Sequence, residues 1–114
     1  MTATVKKTSI EGAPRDRMGA LSLVSGTQVS LRMWDAEEPR EDKTPRAREY
    51  ETVGYALEGR ARLRIEEHEV VIEPGDSWLV PAGALHTYEI LEPFTALEAT
   101  APPAQMAGRD APVG

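Results

Sequence analysis

Residues 73–86 read Glu-Pro-Gly-Asp-Ser-Trp-Leu-Val-Pro-Ala-Gly-Ala-Leu-His, and this stretch decides the fold. Its Pro-Gly-Asp segment predicts a tight turn after an apolar run, because proline fixes one φ angle and glycine accepts a positive one. Residues 81–83, Pro-Ala-Gly, predict a second turn. After it, His86, Tyr88 and Ile90 fall on one face of the next strand. The stretch therefore predicts short strands separated by tight turns.

The same alternation extends upstream of this stretch. Residues 53–65 read Val-Gly-Tyr-Ala-Leu-Glu-Gly-Arg-Ala-Arg-Leu-Arg-Ile, in which Ala61, Leu63 and Ile65 alternate with arginines. Such a period of two predicts a strand with one buried face and one solvated face. By the same rule the side chains of Val53, Tyr55 and Leu57 are predicted to point inward. In another stretch Val29, Leu31 and Met33 alternate with polar residues.

Turn signals recur every eight to twelve residues along the chain. This spacing, with no convincing amphipathic helix, is typical of an all-β sandwich or barrel. The strands are predicted at residues 20–25, 27–34, 46–50, 53–58, 60–66, 69–73, 77–80, 86–92 and 94–100.

The 114 residues fit one domain. We expect residues 1–100 to form the barrel, with a charged, proline-containing loop at 35–45. Residues 101–114 are rich in proline, glycine and alanine and are expected to be mobile or draped on the surface.

Composition excludes several classes of function. Without cysteine, the chain has no disulfide, thiol nucleophile or iron–sulfur cluster. A net charge of −6 disfavours nucleic acid and anionic membranes as partners. No apolar run is long enough to span a membrane, and we expect a cytoplasmic protein.

The two quoted stretches resemble the small single-domain cupins. The second motif of that family, Gly-x5-Pro-x-Gly-x2-His-x3-Asn, fits at Gly75, Pro81, Gly83 and His86, with Ile90 in place of the asparagine. The resemblance implies an all-β fold, a double-stranded β-helix or jelly-roll barrel whose interior or mouth holds a small ligand.

The first motif of the family, His-x-His-x3-(Glu or Gln)-x6-Gly, supplies the metal ligands. Counting back from Gly59 places Arg46 and Arg48 at the two histidine positions and Thr52 at the carboxylate or amide position. Only His86 of the implied ligand set remains, so no metal is expected. Glu49 and Glu51 could complete a site only through a bulge, because they have the opposite parity, or another subunit could complete it.

The remaining residues suggest an anion site instead. Arg46 and Arg48, with His86 opposite, would form a cationic pocket for a carboxylate or phosphate, since guanidinium groups pair with both. Tyr55 and Tyr88 would add hydroxyl donors. The alternative is that the arginines reach water near the rim, and that both tyrosines are core residues.

Four functions follow from these residues. The first is metal-free binding of a small anionic or polyhydroxy ligand, such as a sugar acid or another carboxylate. The second is a metal-independent isomerase, epimerase or lyase, with His86 as the best candidate for general acid or base. The third is a metal-dependent dioxygenase, decarboxylase or sugar isomerase, and the fourth is a filled barrel kept for protein interactions.

Other residues have ordinary structural explanations. His68 lies at a predicted hairpin turn, where an exposed histidine is usual, and Trp34 and Trp78 are expected to pack at the barrel wall or at a dimer contact. We expect a homodimer, because small cupins are commonly dimers and a strand at residues 8–10 could cover an edge of a neighbouring sheet.

Overall fold

The computed structural model describes residues 5–41 and 44–110. All regular secondary structure within these ranges is β-strand. No helix among the described residues is long and apolar enough to cross a membrane. The seven strands are β1 (Leu21–Ser25), β2 (Ser30–Glu37), β3 (Arg40–Glu41), β4 (Glu51–Ile65), β5 (His68–Ile72), β6 (Ser77–Val80) and β7 (His86–Ala101).

All strand pairs are antiparallel, in the order β1-β2-β7-β4-β5, with β3 added to β7 and β6 to β4. The long strands β4 and β7 pair along almost their whole length, and their register shifts between Ala56 and Ala61. This shift divides the sheet into two halves. The polar half comprises β1, β2, β6 and residues 51–55 and 97–101. The apolar half comprises β3, β5 and residues 61–65 and 86–90.

The two halves face each other across one hydrophobic core. Leu63 and Ile72 from the apolar half belong to the same buried cluster as Val80 from the polar half. Trp78 on β6 also donates a hydrogen bond from Nε1 to the Tyr88 hydroxyl, over 3.0 Å. The sheet is therefore folded on itself, as the predicted barrel requires.

The apolar half follows the sequence pattern. Ala61 and Leu63 point inward and are almost fully buried, and the intervening Arg62 pairs with Glu89 on the outside. Arg60 and Arg64 likewise pair with glutamates on the outer face. The prediction of a buried apolar face and a solvated arginine face is confirmed here.

The polar half has the opposite arrangement. Ser30 and Arg32 are buried on β2, whereas the intervening Leu31 is 36 % exposed. On β4, Val53 and Tyr55 are about half exposed. The prediction that Val53, Tyr55 and Leu57 point inward is therefore wrong.

An irregularity around Gly59 explains this error. Residues 52, 54 and 56 point inward before it, whereas residues 61, 63 and 65 point inward after it. One extra residue in a strand moves the following side chains to the opposite face. Gly59 has a φ of +79°, and a Cβ built on it would lie 1.9 Å from the Pro93 carbonyl oxygen, so this position requires glycine.

Some predicted element boundaries also differ. β4 and β7 are each continuous where two strands were predicted, because the bend does not interrupt their pairing. Residues 46–50 make only an isolated bridge, from Arg46 to His86. β2 runs to Glu37, and β3 lies within the predicted 35–45 loop.

Both ends of the described chain lie outside the barrel strands. Residues 8–10 are exposed and form no strand. After β7 the chain folds back over the polar half instead of lying loosely on the surface, and it buries Pro103, Ala104 and Asp110. Residues 111–114 of the predicted tail lie outside the described residues.

Candidate functional site

A cavity of about 130 Å³ lies between the two halves, where the chain leading into β4 passes the start of β7. Most of its polar lining is basic or phenolic. None of the described residues that line it is acidic. The chemically active side chains in its wall are Arg32, Arg40, Arg46, Arg48, Tyr50, Thr52, His86 and Tyr88.

The structure brings together most of the residues singled out in the sequence. Arg46 lies beside His86, because the two backbones form a bridge with hydrogen bonds of 3.0 Å in both directions. Arg48 is buried and Arg46 is half-buried. Both arginines therefore line the cavity rather than only the rim.

His86 is fixed by its own turn. Its Nδ1 lies 3.0 Å from the Ala84 carbonyl oxygen. Because a carbonyl only accepts, Nδ1 carries the proton in this contact, and neutral His86 keeps a lone pair on Nε2. The edge of the imidazole ring also meets the Tyr88 ring, with a centroid distance of 5.6 Å. His86 is therefore held as a hydrogen-bonding group in the cavity wall.

Tyr88 is a neutral donor in this site. Its hydroxyl oxygen accepts the hydrogen bond from Trp78, so the hydroxyl proton remains available for another acceptor. Burial, with a smaller effect of the Glu98 charge, raises the pKa of Tyr88 above its ordinary value. The residue can therefore donate a hydrogen bond but is a poor source of a phenolate base.

Arg32 forms a buried ion cluster behind the cavity. Its guanidinium lies 2.9 Å from Glu98, 3.2 Å from Asp110 and 3.3 Å from Asp16. It also lies over the ring of Trp34, 5.1 Å from the ring centroid. Burial alone lowers the pKa of Arg32, but the charges of Glu98, Tyr50 and Asp110 outweigh that effect and hold it above its usual value. Arg32 is therefore a permanent cation with three carboxylate partners.

Tyr50 joins this cluster to the cavity. Its hydroxyl donates to Asp110 over 2.8 Å and accepts from Arg32 over 3.3 Å. Burial raises the pKa of Tyr50 to about 12, with Asp110 adding to the shift and Arg32 opposing it. The hydroxyl therefore stays protonated at neutral pH.

Arg48 has a different environment. It is only 8 % exposed, yet its polar contacts are the Asp110 backbone carbonyl and the Met18 sulfur, at 3.9 Å. Among the described residues no carboxylate pairs with it. A buried cation is normally paired with an anion, because removing a charge from water is costly. This guanidinium is therefore suited to an anion from outside the chain.

Tyr55 does not belong to the site. It lies on the outer face of β4, 48 % exposed, because the change of facing at Gly59 comes after it. The prediction that it lines the cavity is wrong.

Sequence reasoning missed Arg32, Arg40, Tyr50 and Asp110. Arg32 looked like a solvated residue in an alternating strand, and Asp110 belonged to a segment expected to be loose. The sequence did contain a signal, because polar residues alternate with apolar ones in both β2 and β7. In the structure Ser30 and Arg32 on β2 pair with Thr100 and Glu98 on β7.

The residues present do not fit a divalent metal. Guanidinium groups have no lone pair for a metal and repel it, and they stand with Thr52 at the positions that the family motif gives to ligands. Glu49 and Glu51 are exposed, and no group of three histidine, aspartate or glutamate side chains within residues 5–41 and 44–110 is placed to hold an ion. The donor set of the cavity is suited to anions instead.

A second, larger cleft of about 500 Å³ also has His86 in its wall. It lies at the turn between β4 and β5, and its lining includes Arg64, Glu66, Glu67 and His68. His68 is exposed at this hairpin, as predicted. Its glutamates oppose anion binding, and its open surface lacks the buried polar groups of the smaller cavity. We therefore assign the site to the smaller cavity.

Comparisons with solved structures show the same fold. An RmlC-like cupin from Shewanella frigidimarina gives a TM-score of 0.74 at 17% identity, over 90% of this chain and 95% of that chain. KdgF from Halomonas sp. gives 0.64 at 15% identity, over 73% and 78%. EutQ from Clostridium difficile gives 0.63 at 14% identity, over 76% and 64%.

These identities establish the architecture alone, which is the predicted all-β cupin barrel. A search of curated proteins found no match. The family model described as a cupin domain matches residues 36–99, more than half of the sequence, and this chain therefore belongs to the cupin family.

Proposed function

We propose that this cupin binds a small carboxylate, such as a sugar acid, in the cavity between the two halves and does so without a metal. The observation that carries the proposal is Arg48, a buried guanidinium with no carboxylate partner among the described residues. Guanidinium groups bind planar carboxylates through two parallel hydrogen bonds.

The rest of the cavity supports the same ligand class. Arg46, His86 and Tyr88 also line the cavity, and they carry the kinds of donor that hydroxyl or keto oxygens of a ligand held at Arg48 accept from. A volume of about 130 Å³ admits only a few non-hydrogen atoms. The cavity therefore suits a small acid, or the acidic end of a larger one.

Binding is favoured over catalysis by the state of the tyrosines. Proton transfer by His86 would need a second group of suitable pKa, and Tyr88 is held neutral by burial while Tyr55 lies outside. Metal-dependent reactions would need ligands that the cavity does not supply.

Calorimetric titration of the full chain with D-glucuronate, D-gluconate and neutral D-glucose tests the proposal. We expect both acids to bind and glucose not to bind, and Arg48→Gln to weaken acid binding at least tenfold. Arg64→Gln is the matched control, because Arg64 is an exposed arginine of the outer face. Equal binding of glucose, or equal affinity in Arg48→Gln and Arg64→Gln, would contradict the proposal.

We also propose that the protein is a homodimer formed through the outer face of the polar half. Leu79, Val53, Ala99 and Leu31 form one apolar row across four strands of this face. A second row contains Tyr55, Leu97 and Met33, and neither row contains a charged residue. Contact through this face lets two copies with a net charge of −6 meet without placing like charges against each other.

A second copy also suits this face by size. Four strands spaced about 4.8 Å apart make an apolar area roughly 15 Å across, which suits the centre of an interface with a polar rim. A twofold axis pairs such a patch with itself.

Sedimentation velocity tests the dimer with two matched variants. Leu79 lies in the apolar row and Leu85 outside it, and each is 51% exposed. We expect a dimer for the wild type and for Leu85→Lys, and at least tenfold weaker association for Leu79→Lys. A monomeric wild type, or equal effects of the two lysines, would refute this interface.

A further inference from the structure

The segment after β7 enters the site described above. Residues 103–105 anchor it, since Pro103 and Ala104 are buried and Ser30 donates a hydrogen bond of 2.7 Å to Gln105. Residues 106–108 are exposed. Asp110, only 4% exposed, then packs behind the cavity against Arg48 and Tyr50, two residues of its wall. The segment therefore has three parts: a fixed base at residues 103–105, an exposed arch at residues 106–108 and a buried acidic tip at Asp110.

The acidic tip occupies the donors that a ligand would need. Asp110 accepts from Arg32 Nη1 at 3.2 Å and from the Tyr50 hydroxyl at 2.8 Å, and its backbone carbonyl accepts from Arg48. One residue of the chain thus contacts three donors behind and beside the cavity. A bound carboxylate would make the same kinds of hydrogen bond.

The charges around Asp110 favour its replacement by a ligand carboxylate. Without Asp110, Arg32 would keep Asp16 and Glu98 as partners. Arg48 would then lose its carbonyl contact and gain a full negative charge from the ligand. Exchange of Asp110 for a free carboxylate would therefore leave neither guanidinium without an acceptor.

Residues 106–109 make few contacts with the barrel, among them a hydrogen bond from the Ser25 hydroxyl to the Met106 sulfur at 3.6 Å. Arg109 donates to the Pro103 carbonyl at 3.2 Å within the segment, and it reaches the exposed Glu49 only at 4.0 Å. An exposed ion pair of this length contributes little to stability. Opening the arch would mainly break the contacts of Asp110.

We infer that residues 106–110 form a displaceable plug, and that a ligand carboxylate binds to Arg48, Arg32 and Tyr50 by exchange with Asp110. The inference rests on the proposed function and specifies how the same site is opened. It assigns the ligand carboxylate to the space beside Arg48, Arg32 and Tyr50 that the carboxylate and the backbone carbonyl of Asp110 occupy.

Titration of the full chain with acetate, the simplest carboxylate, tests the exchange. We expect Asp110→Asn to bind acetate at least tenfold more tightly than the wild type, because the competing carboxylate is gone. Glu92→Gln is the control, because it removes an exposed carboxylate that pairs with Arg60 on the outer face, away from the site. We expect it to change the affinity less than threefold.

Trypsin gives a second measurement that needs no variant. Cleavage after Arg109 requires the plug to leave the surface, so saturating acetate should accelerate it in the wild type. Cleavage after the exposed Arg17 is the internal control and should not change.

The outcomes separate the two proposals. Acetate binding that is equal in the wild type and Asp110→Asn, or raised equally by Glu92→Gln, would overturn the plug and leave the proposed function standing. Slower cleavage after Arg109 with acetate would overturn it as well. If neither the wild type nor Asp110→Asn binds any carboxylate, both proposals fail.

Discussion

The two halves of the barrel use the same strands with opposite polarity. In the apolar half, β4 turns Leu63 inward and Arg62 outward. In the polar half, the same strand turns Thr52 inward and Val53 outward. Both halves contribute to the hydrophobic core, and the polar half adds a buried ion cluster and the two uncharged rows of its outer face. The difference shows that one irregularity in β4 is enough to turn its apolar side chains inward in one half and outward in the other.

Loss of the central cation should have the largest effect on the polar half. Arg32→Met would leave Asp16, Glu98 and Asp110 buried without their shared partner. We expect a loss of about 3–5 kcal/mol in the free energy of unfolding, measured by urea denaturation.

The control for this variant lies in the apolar half. Arg64→Met removes an exposed arginine paired with Glu69, and we expect a change below about 1 kcal/mol. Similar losses of unfolding free energy for the two variants would show that the buried ion cluster stabilises the fold no more than an exposed ion pair does.

Gly59 joins the two halves, and its substitution should cause the second largest loss of stability. Gly59→Ala would place a Cβ against the Pro93 carbonyl at a φ of +79°, so both strain and collision oppose it. We expect a loss of about 2–4 kcal/mol in unfolding free energy.

Gly75→Ala separates strain from collision. Gly75 also has a positive φ, +93°, but a Cβ there would meet nothing within 4 Å. We expect a loss of about 1–2 kcal/mol for this variant by thermal or urea denaturation. Equal losses at both glycines would mean that the close approach to Pro93 is relieved by a small shift.

Alkaline pH should weaken the polar half through Tyr50. Its pKa is about 12 in the folded protein and 10.0 as the ordinary value, so the folded state keeps the proton longer than the unfolded state. The resulting stabilisation is complete below pH 10.0 and is lost as the pH rises through about 12. Two pKa units correspond to roughly 2–3 kcal/mol.

Urea denaturation at pH 9 and pH 12 measures this contribution. We expect Tyr50→Phe to lose roughly 2 kcal/mol less stability than the wild type between these pH values, since it lacks the titrating hydroxyl. Tyr55→Phe is the control, because Tyr55 lies on the exposed outer face, and it should follow the wild type. If Tyr50→Phe lost as much stability as the wild type between pH 9 and pH 12, the raised pKa of Tyr50 would be contradicted.

The sequence was most informative where local rules act alone. Residues 73–86 predicted the turn before β6 and the turn before β7, and both are present. His86, Tyr88 and Ile90 share the inner face as the alternation requires. Arg46 and Arg48, identified from the spacing to Gly59, do line the cavity.

The sequence was least informative where distant segments meet. Nothing near Asp110 in the sequence indicates that it contacts Arg48, 62 positions earlier, or Tyr50, 60 positions earlier. The apolar odd-numbered residues of β4 also suggested one continuous buried face. Gly59 splits that set, because the extra residue moves Val53 and Tyr55 to the outside.

Most strands and turns followed from the sequence, because they depend on alternation and on the dihedral preferences of proline and glycine over a few residues. The resemblance to cupins rested on the spacing of the family motif from Gly75 to His86. Only the tertiary structure decided which face of β2 and of the first part of β4 is buried. Alternation defines two faces of a strand but does not say which one is inside. When buried polar side chains such as Arg32 and Glu98 can satisfy one another across strands, the polar face can become the inner one.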